Sequence, residues 1–194
     1  MTQEMMQDKV LNLMSELGAL HEGHFLLSSG LHSDKYFQCA RILQFPELAR
    51  ELGAAMAGFF PGAGYDLVVS PALGGILIGH EVARALGRRF VFTERKDGRM
   101  MIRRGFEIAE GEKVVIAEDV VTRGTSLLEV ASVVEAAGGK VVGLTSIIDR
   151  TSGEVELPLP LQSLARVSVR TWAAEACPLC QAGKELVKPG SRGN

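Results

Sequence analysis

Residues 114–130, VVIAEDVVTRGTSLLEV, constrain the fold more than any other stretch of the chain. A run of Val and Ile without polar alternation reads as a strand buried on both faces, as in parallel sheets covered by helices. The run ends at Glu118-Asp119, so two carboxylates stand at the carboxyl edge of the sheet. Ligands of doubly wound sheets bind at that edge. The turn Thr122-Arg123-Gly124-Thr125-Ser126 then leads straight into a helix. Such a turn offers consecutive backbone N–H groups, hydroxyls and the positive end of a helix dipole, which together suit a phosphate. Gly124 lets the backbone approach a ligand closely. The upstream carboxylates would repel a bare phosphate, so the matching ligand also presents hydroxyls or a divalent cation. A sugar phosphate meets both conditions.

The rest of the centre repeats this pattern. Residues 65–70, 89–94, 113–119 and 140–149 read as strands, and 75–87 and 125–138 as helices. The alternation predicts an α/β fold, a doubly wound parallel sheet. Residues 3–17 and 46–60 read as further helices, the first stopped by Gly18 and the second opened by Pro46. Between them, two extended runs flank Ser28-Ser29-Gly30, as in a hairpin. One domain is expected, made of an N-terminal helix and hood hairpin (1–45), an α/β core (46–175) and an irregular tail (176–194). Residues 95–112 break the alternation and carry Arg95, Lys96, Arg99, Arg103 and Arg104. They read as a mobile loop or a short hairpin, the sort of insertion that often covers a site.

Composition excludes several function classes. The chain has 194 residues, 46% hydrophobic and 23% charged, enough to bury a single core. A net charge of −2 provides no general basic field for nucleic acid or an anionic membrane. No run approaches the roughly 20 apolar residues of a membrane helix. The first ten residues include Glu4 and Asp8 and lack the apolar region of a signal peptide. Three cysteines are too few for a disulfide framework, which suits the reducing cytosol.

Competing motifs fail on residue type. Gly74 and Gly79 have P-loop spacing, but His80 and Glu81 occupy the positions that need Lys and Ser or Thr. Gly62-Ala63-Gly64 would need a third glycine where Leu67 stands, and it precedes its strand, so a nicotinamide cofactor is poorly supported. Cys177-Pro178-Leu179-Cys180 has the spacing of half a zinc site. Cys39, His21, His24, His32 and His80 are the other candidate ligands. Nothing in the sequence places them beside the pair, so two tail thiols are expected.

Residues 114–126 resemble the phosphoribosyl pyrophosphate (PRPP) signature of the type I phosphoribosyltransferase family: apolar strand, two acids, two apolar residues, then Thr-x-Gly-Thr-Ser. The resemblance implies that Glu118 and Asp119 hold the ribose hydroxyls of PRPP. It implies that the segment Val120, Val121, Thr122, Arg123, Gly124, Thr125 and Ser126 holds the 5′-phosphate. Three more segments are similar to the orotate branch of that family. FLLSSGLHSDKYFQ (25–38) resembles its hood motif, which implies Lys35, Tyr36 and Phe37 against the base; Ser28 stands where many members have Lys. SPALGGILIG (70–79) resembles its pyrophosphate loop, which implies backbone donors at Ala72, Leu73 and Gly74. In SIIDR (146–150), Arg150 is implied to contact the orotate carboxylate, with Asp149 orienting it and Thr122 touching the same base.

The cationic insertion is similar to the family's mobile loop at Arg95-Lys96. It departs further on, where a Lys and a His are missing and Arg99, Arg103 and Arg104 are the available cations. The resemblance implies PRPP contacts from Arg95 and Lys96, and catalysis by Lys96, Arg99 and Asp119. It implies Mg²⁺ carried mainly through PRPP without a firm protein ligand. It also implies a cytoplasmic homodimer whose loop reaches the neighbouring active site, with no nucleic acid or membrane partner. The implied reaction converts orotate and PRPP to orotidine 5′-phosphate and pyrophosphate, a step of UMP biosynthesis. Two alternatives remain: another PRPP-dependent base phosphoribosyltransferase, purine or uracil, and a non-catalytic regulator with the same fold.

Overall fold

The strands read from the sequence assemble into one six-stranded sheet in the computed structural model, which describes residues 3–27, 29–62, 64–151, 153 and 155–189. The chain begins with α1 (Gln3–Glu16), then the hood hairpin β1 (Leu20–Leu26) and β2 (His32–Phe37), then α2 (Ala40–Leu43) and α3 (Pro46–Ala57). The core follows as β3 (Leu67–Pro71), α4 (Gly75–Leu86), β4 (Arg89–Lys96), β5 (Arg99–Ile102), β6 (Lys113–Val121), α5 (Thr125–Ala136), β7 (Lys140–Asp149) and β8 (Leu161–Arg166). The chain then adds β9 (Thr171–Trp172) and a short helix, α6 (Pro178–Gln181). Ser28, in the expected hairpin turn, lies outside the described residues.

The strand order is β5-β4-β3-β6-β7-β8, parallel throughout except for the antiparallel β4–β5 pair. From β3 the chain moves outward to β4 and β5, then returns to the other side of β3 as β6. The direction of winding therefore reverses between β3 and β6, and at such a point the two following loops part and leave a crevice. Here the β3–β6 pairing runs only from Leu67↔Val114 to Val69↔Ile116, so the last residues of β6 line open space.

Alternate residues of the central strands serve opposite faces. Val68, Val115, Ala117 and Ile147 join α1, α3 and α4 in one cluster. Leu67, Val69, Val114, Ile116 and Leu144 meet α5 on the other side. Ile116 is fully buried, and truncating such a side chain to Ala costs about 2–5 kcal/mol. Helices α3 and α4 cross in close contact at Gly53, where an added Cβ would lie 2.5 Å from Glu81 Cβ.

Several details differ from the sequence reading. Strand β6 continues through Val121 instead of ending at the acidic pair, because its β7 partner carries the ladder on to Val121↔Asp149. The cationic insertion is a hairpin, turned by Asp97 and Gly98 at φ 51° and 78°, the left-handed pair that matches the twist of a two-residue hairpin. Strand β8 was not foreseen. It forms the far edge of the sheet, and α1 caps it: Gln7 Oε1 accepts the Arg166 N–H at 3.1 Å, and Gln3 Nε2 donates to the Ser163 carbonyl at 2.7 Å.

The tail is tied to the hood. Strand β9 pairs with β2, and Val187 exchanges backbone hydrogen bonds with His24 and Leu26, each at 2.8 Å. This docking brings Cys177 and Cys180 against His24 and His32, correcting the expectation of two isolated tail thiols. Cys39, His21 and His80 are not part of that group.

Candidate functional site

The crevice between β3 and β6 collects most of the residues singled out from the sequence. On one wall, β3 ends in a turn with a cis peptide between Ala72 and Leu73. The Ala72 N–H already donates to the Thr93 carbonyl at 2.8 Å, so of the three expected backbone donors it is not available. Leu73 and Gly74 follow, Gly74 as the N-cap of α4.

On the other wall stand Glu118 and Asp119. An added Cβ on Gly74 would lie 2.7 and 2.8 Å from the two Asp119 carboxylate oxygens, so the two walls meet there and a larger residue at 74 would have to displace that carboxylate. Glu118 is buried. Burial, and then the adjacent Asp119 carboxylate, push it up to about 8, with the Ser126 hydroxyl pulling the other way. Burial also raises Asp119, against hydrogen bonds from backbone N–H groups, including that of Val120. Two neighbouring carboxylates held in low dielectric are relieved by hydroxyl donors or a cation.

The turn after β6 forms the floor. Gly124 is the N-cap of α5, in the left-handed region at φ 68° with no side-chain cap. A Cβ there would lie 2.9 Å from Val155 Cγ1 and 3.0 Å from Leu157 Cδ2. Glycine is thus required twice over, by conformation and by space. Thr122, Arg123 and Thr125 are exposed at this turn, and the unpaired N–H groups of the helix start point outward with the positive end of its dipole.

The hood closes the site from above. The Arg150 backbone N–H bonds to the Val121 carbonyl at 2.8 Å, which fixes the residue beside the end of β6. Its guanidinium lies 5.1 Å over the Phe37 ring. Its Nε is buried without a hydrogen-bond partner among the described residues. Burial lowers its pKa, opposed by Asp34. Asp149 does not orient Arg150 as expected; it accepts hydrogen bonds from the Thr151 N–H (2.8 Å) and hydroxyl (2.7 Å) and pairs with Arg166. Arg150 therefore stands over Phe37 with an unpartnered Nε donor among the described residues.

Tyr36 donates to Gln38 Oε1 at 2.9 Å, and burial together with Asp119 and Cys39 raises its pKa. Cys39, which the sequence did not single out for this site, lies 4.0 Å from the Asp119 carbonyl. Its thiol is raised well above the ordinary range, first by burial and then by Asp119, which keeps it a neutral packing group. Lys35 pairs with Glu22 across the hairpin at 3.1 Å.

The loop cations divide into two sets. Arg95 makes a two-pronged ion pair with Glu129 of α5, and Arg103 and Arg104 both pair with Glu94. These three are engaged within the subunit. Lys96 and Arg99, either side of the hairpin turn, have no ion-pair partner among the described residues. Arg99 lines a shallow hollow with Thr125 and Glu129, next to the phosphate-type turn.

Comparison with known proteins shows the family of the chain. Residues 39–158 match the Phosphoribosyl transferase domain. An orotate phosphoribosyltransferase of Caldanaerobacter subterraneus subsp. tengcongensis is 46% identical over 188 residues, 97% of this chain and 99% of that protein. One from Thermoanaerobacter sp. is 47% identical over 188 residues, again 97% of this chain and 99% of that protein. The solved orotate phosphoribosyltransferase of Aeropyrum pernix superposes with a TM-score of 0.64 at 25% identity, covering 81% of this chain and 93% of that one.

Proposed function

The chain belongs to the orotate phosphoribosyltransferase family, and from that premise we propose that it transfers the phosphoribosyl group of PRPP to orotate, giving orotidine 5′-phosphate and pyrophosphate for UMP synthesis. The single observation that carries the choice of base is Arg150. A half-buried guanidinium, stacked over Phe37 with a bare Nε, suits a flat ligand bearing a carboxylate. Neither a purine nor uracil presents one.

In this reading the turn 122–126 holds the 5′-phosphate, and Glu118 and Asp119 accept the ribose hydroxyls. Leu73 and Gly74 donate backbone N–H groups to the diphosphate. Tyr36 and Phe37 flank the base, and Thr122 touches it. Ring nitrogen and C1 form a bond as the C1–pyrophosphate bond breaks, so positive charge builds on the ribose and negative charge on the leaving group. Glu118 and Asp119 face the first, and Lys96 and Arg99 compensate the second when the hairpin closes. The proton of the attacking ring N–H passes to the departing diphosphate or to solvent, so no strong base is required. Closure also excludes water, which would otherwise hydrolyse PRPP.

The site's oxygen donors and its crowded, buried carboxylate pair fit Mg²⁺. Glu118 and Asp119 would stand beside an ion held mainly by PRPP, and when bound it supplies charge neutralisation at the leaving diphosphate. We further propose a cytoplasmic homodimer. Its free cysteines suit a reducing compartment, and no described helix is long and apolar enough to cross a membrane.

The test is an absorbance assay with PRPP and Mg²⁺, offering orotate, uracil, hypoxanthine and adenine separately. Consumption of orotate alone is expected. Turnover of a purine would overturn the choice of base, and PRPP binding without turnover of any base would overturn the enzymatic reading in favour of a regulator.

A further inference from the structure

Away from the crevice, four residues from two distant segments, the hood hairpin and the C-terminal segment, converge on one point. They are His24 of β1, His32 of β2, Cys177 at the start of α6 and Cys180 within it. Their ligand-type atoms all lie within 4.8 Å of one another. His24 Nε2 and His32 Nδ1 are 2.9 Å apart. Cys177 Sγ lies 3.5 Å from His24 Nε2. Cys180 Sγ lies 3.7 Å from His24 Nε2 and 3.2 Å from His32 Nδ1. Around a tetrahedral Zn²⁺ with ordinary Zn–N and Zn–S lengths, nitrogens would sit about 3.4 Å apart and nitrogen–sulfur pairs about 3.5 Å apart. These four spacings are within about half an ångström of those edges, and the two remaining pairs lie within 4.8 Å, so an ion would enter with side-chain shifts on the order of an ångström.

The surroundings are arranged as metal sites are. His24 Nδ1 is 2.8 Å from the Lys184 carbonyl. A carbonyl can only accept, so Nδ1 carries the proton and the Nε2 lone pair faces the cluster. His24, His32 and Cys177 are 2%, 4% and 0% exposed. Cys180 is the exposed member of the four, and tetrahedral S₂N₂ donor sets select zinc.

We propose that His24, His32, Cys177 and Cys180 form a structural Zn²⁺ site that fastens the C-terminal segment to the hood. Binding converts both thiols to thiolates and releases two protons to solvent. The hood needs such a fastening. It is a three-stranded ribbon whose third strand is two residues long, and ribbons of this size are marginal alone. His32 and Cys180 are separated by 148 positions, so the metal closes a very long loop. The same β2 strand carries Tyr36 and Phe37, so fixing its far end also fixes the wall over the base.

Elemental analysis of tag-free protein, purified without chelator and dialysed after zinc loading, is expected to give one Zn per chain. Its X-ray absorption spectrum is expected to fit two sulfur and two nitrogen neighbours. The Co²⁺-loaded protein should show thiolate-to-cobalt charge-transfer absorption. Cys180→Ser should lose the zinc and the cobalt band, while Cys39→Ser retains both. Metal-free wild-type protein after loading, another metal in place of zinc, full zinc retention by Cys180→Ser, or a Cys177–Cys180 disulfide in protein purified under reducing conditions would each overturn the proposal. The spectra are read on wild-type protein, so a variant that fails to fold leaves the question decidable.

Discussion

Arg150 shows how one residue acquires a function from its setting. Its backbone is pinned to Val121, its guanidinium rests on Phe37, and Asp149, the acid beside it in sequence, is occupied by Thr151 and Arg166. Arg150→Lys keeps the charge but loses the planar fork. We expect KM for orotate to rise about 10- to 100-fold, the worth of a charge-assisted pair, with KM for PRPP nearly unchanged in steady-state kinetics. Glu118 carries a second prediction. Its folded value of about 8 lies above the ordinary 4.5. A raised acid contributes stability that is complete below about pH 4.5 and is lost as pH rises through about 8. Melting curves from pH 5 to 8.5 should therefore show wild-type protein falling relative to Glu118→Gln. At pH 7 the free protein holds this proton, and taking hydrogen bonds from both ribose hydroxyls favours its loss. Calorimetry of PRPP binding in buffers of different ionisation enthalpy should then report proton release in wild-type protein and none in Glu118→Gln.

At the scale of elements, the core depends on one close helix approach and one hairpin. The crossing of α3 and α4 rests on Gly53, whose added Cβ would meet Glu81 side chain and backbone at 2.5 and 2.8 Å. Alanine would gain about 1 kcal/mol of helix propensity, but overpacking of this kind costs about 1–3 kcal/mol. Because the clash is with a helix backbone, it should dominate, and chemical denaturation of Gly53→Ala should show a net loss of about 1–2 kcal/mol. The β4–β5 hairpin is held by Glu94, which pairs with Arg103 and Arg104, and next to its tip by Arg95, which pairs with Glu129 of α5 and donates to the Gly98 carbonyl at 3.0 Å; Lys96 and Arg99 flank the turn with no ion-pair partner among the described residues.

For the whole molecule, the open question is whose site the hairpin serves. Arg99 shares a hollow with Thr125 of its own chain, whereas the family resemblance places the loop in the neighbouring active site. In the proposed homodimer, mixing Lys96→Ala and Asp119→Asn proteins, each expected to be inactive, and allowing subunits to exchange decides it. If the loop acts across the interface, one site of each heterodimer carries both lesions and the other is intact, so activity returns. We expect that recovery. Failure to recover, with heterodimers verified by mass, would place each hairpin over its own crevice.

The sequence by itself determined the parallel sheet, the acidic pair at its edge, the glycine turn and the cationic insertion. All of these are local: apolar runs, turn chemistry and a charge cluster lie within a dozen or so residues of one another. Local pattern also misplaced details that depend on partners. It stopped β6 at Asp119 because it could not see β7 extending the ladder, and it assigned Asp149 to Arg150 because adjacency in sequence suggests a pair. It omitted β8, whose edge is capped by α1 from the other end of the chain. Only the tertiary structure decided that Ala72 has already given up its N–H, that Lys96 and Arg99 are the unpaired loop cations, and that Arg150 retains an unpartnered donor. Only it brought His24 and His32 to Cys177 and Cys180. Such groupings arise from how strands and helices dock, which sets distances between residues that no spacing along the chain encodes.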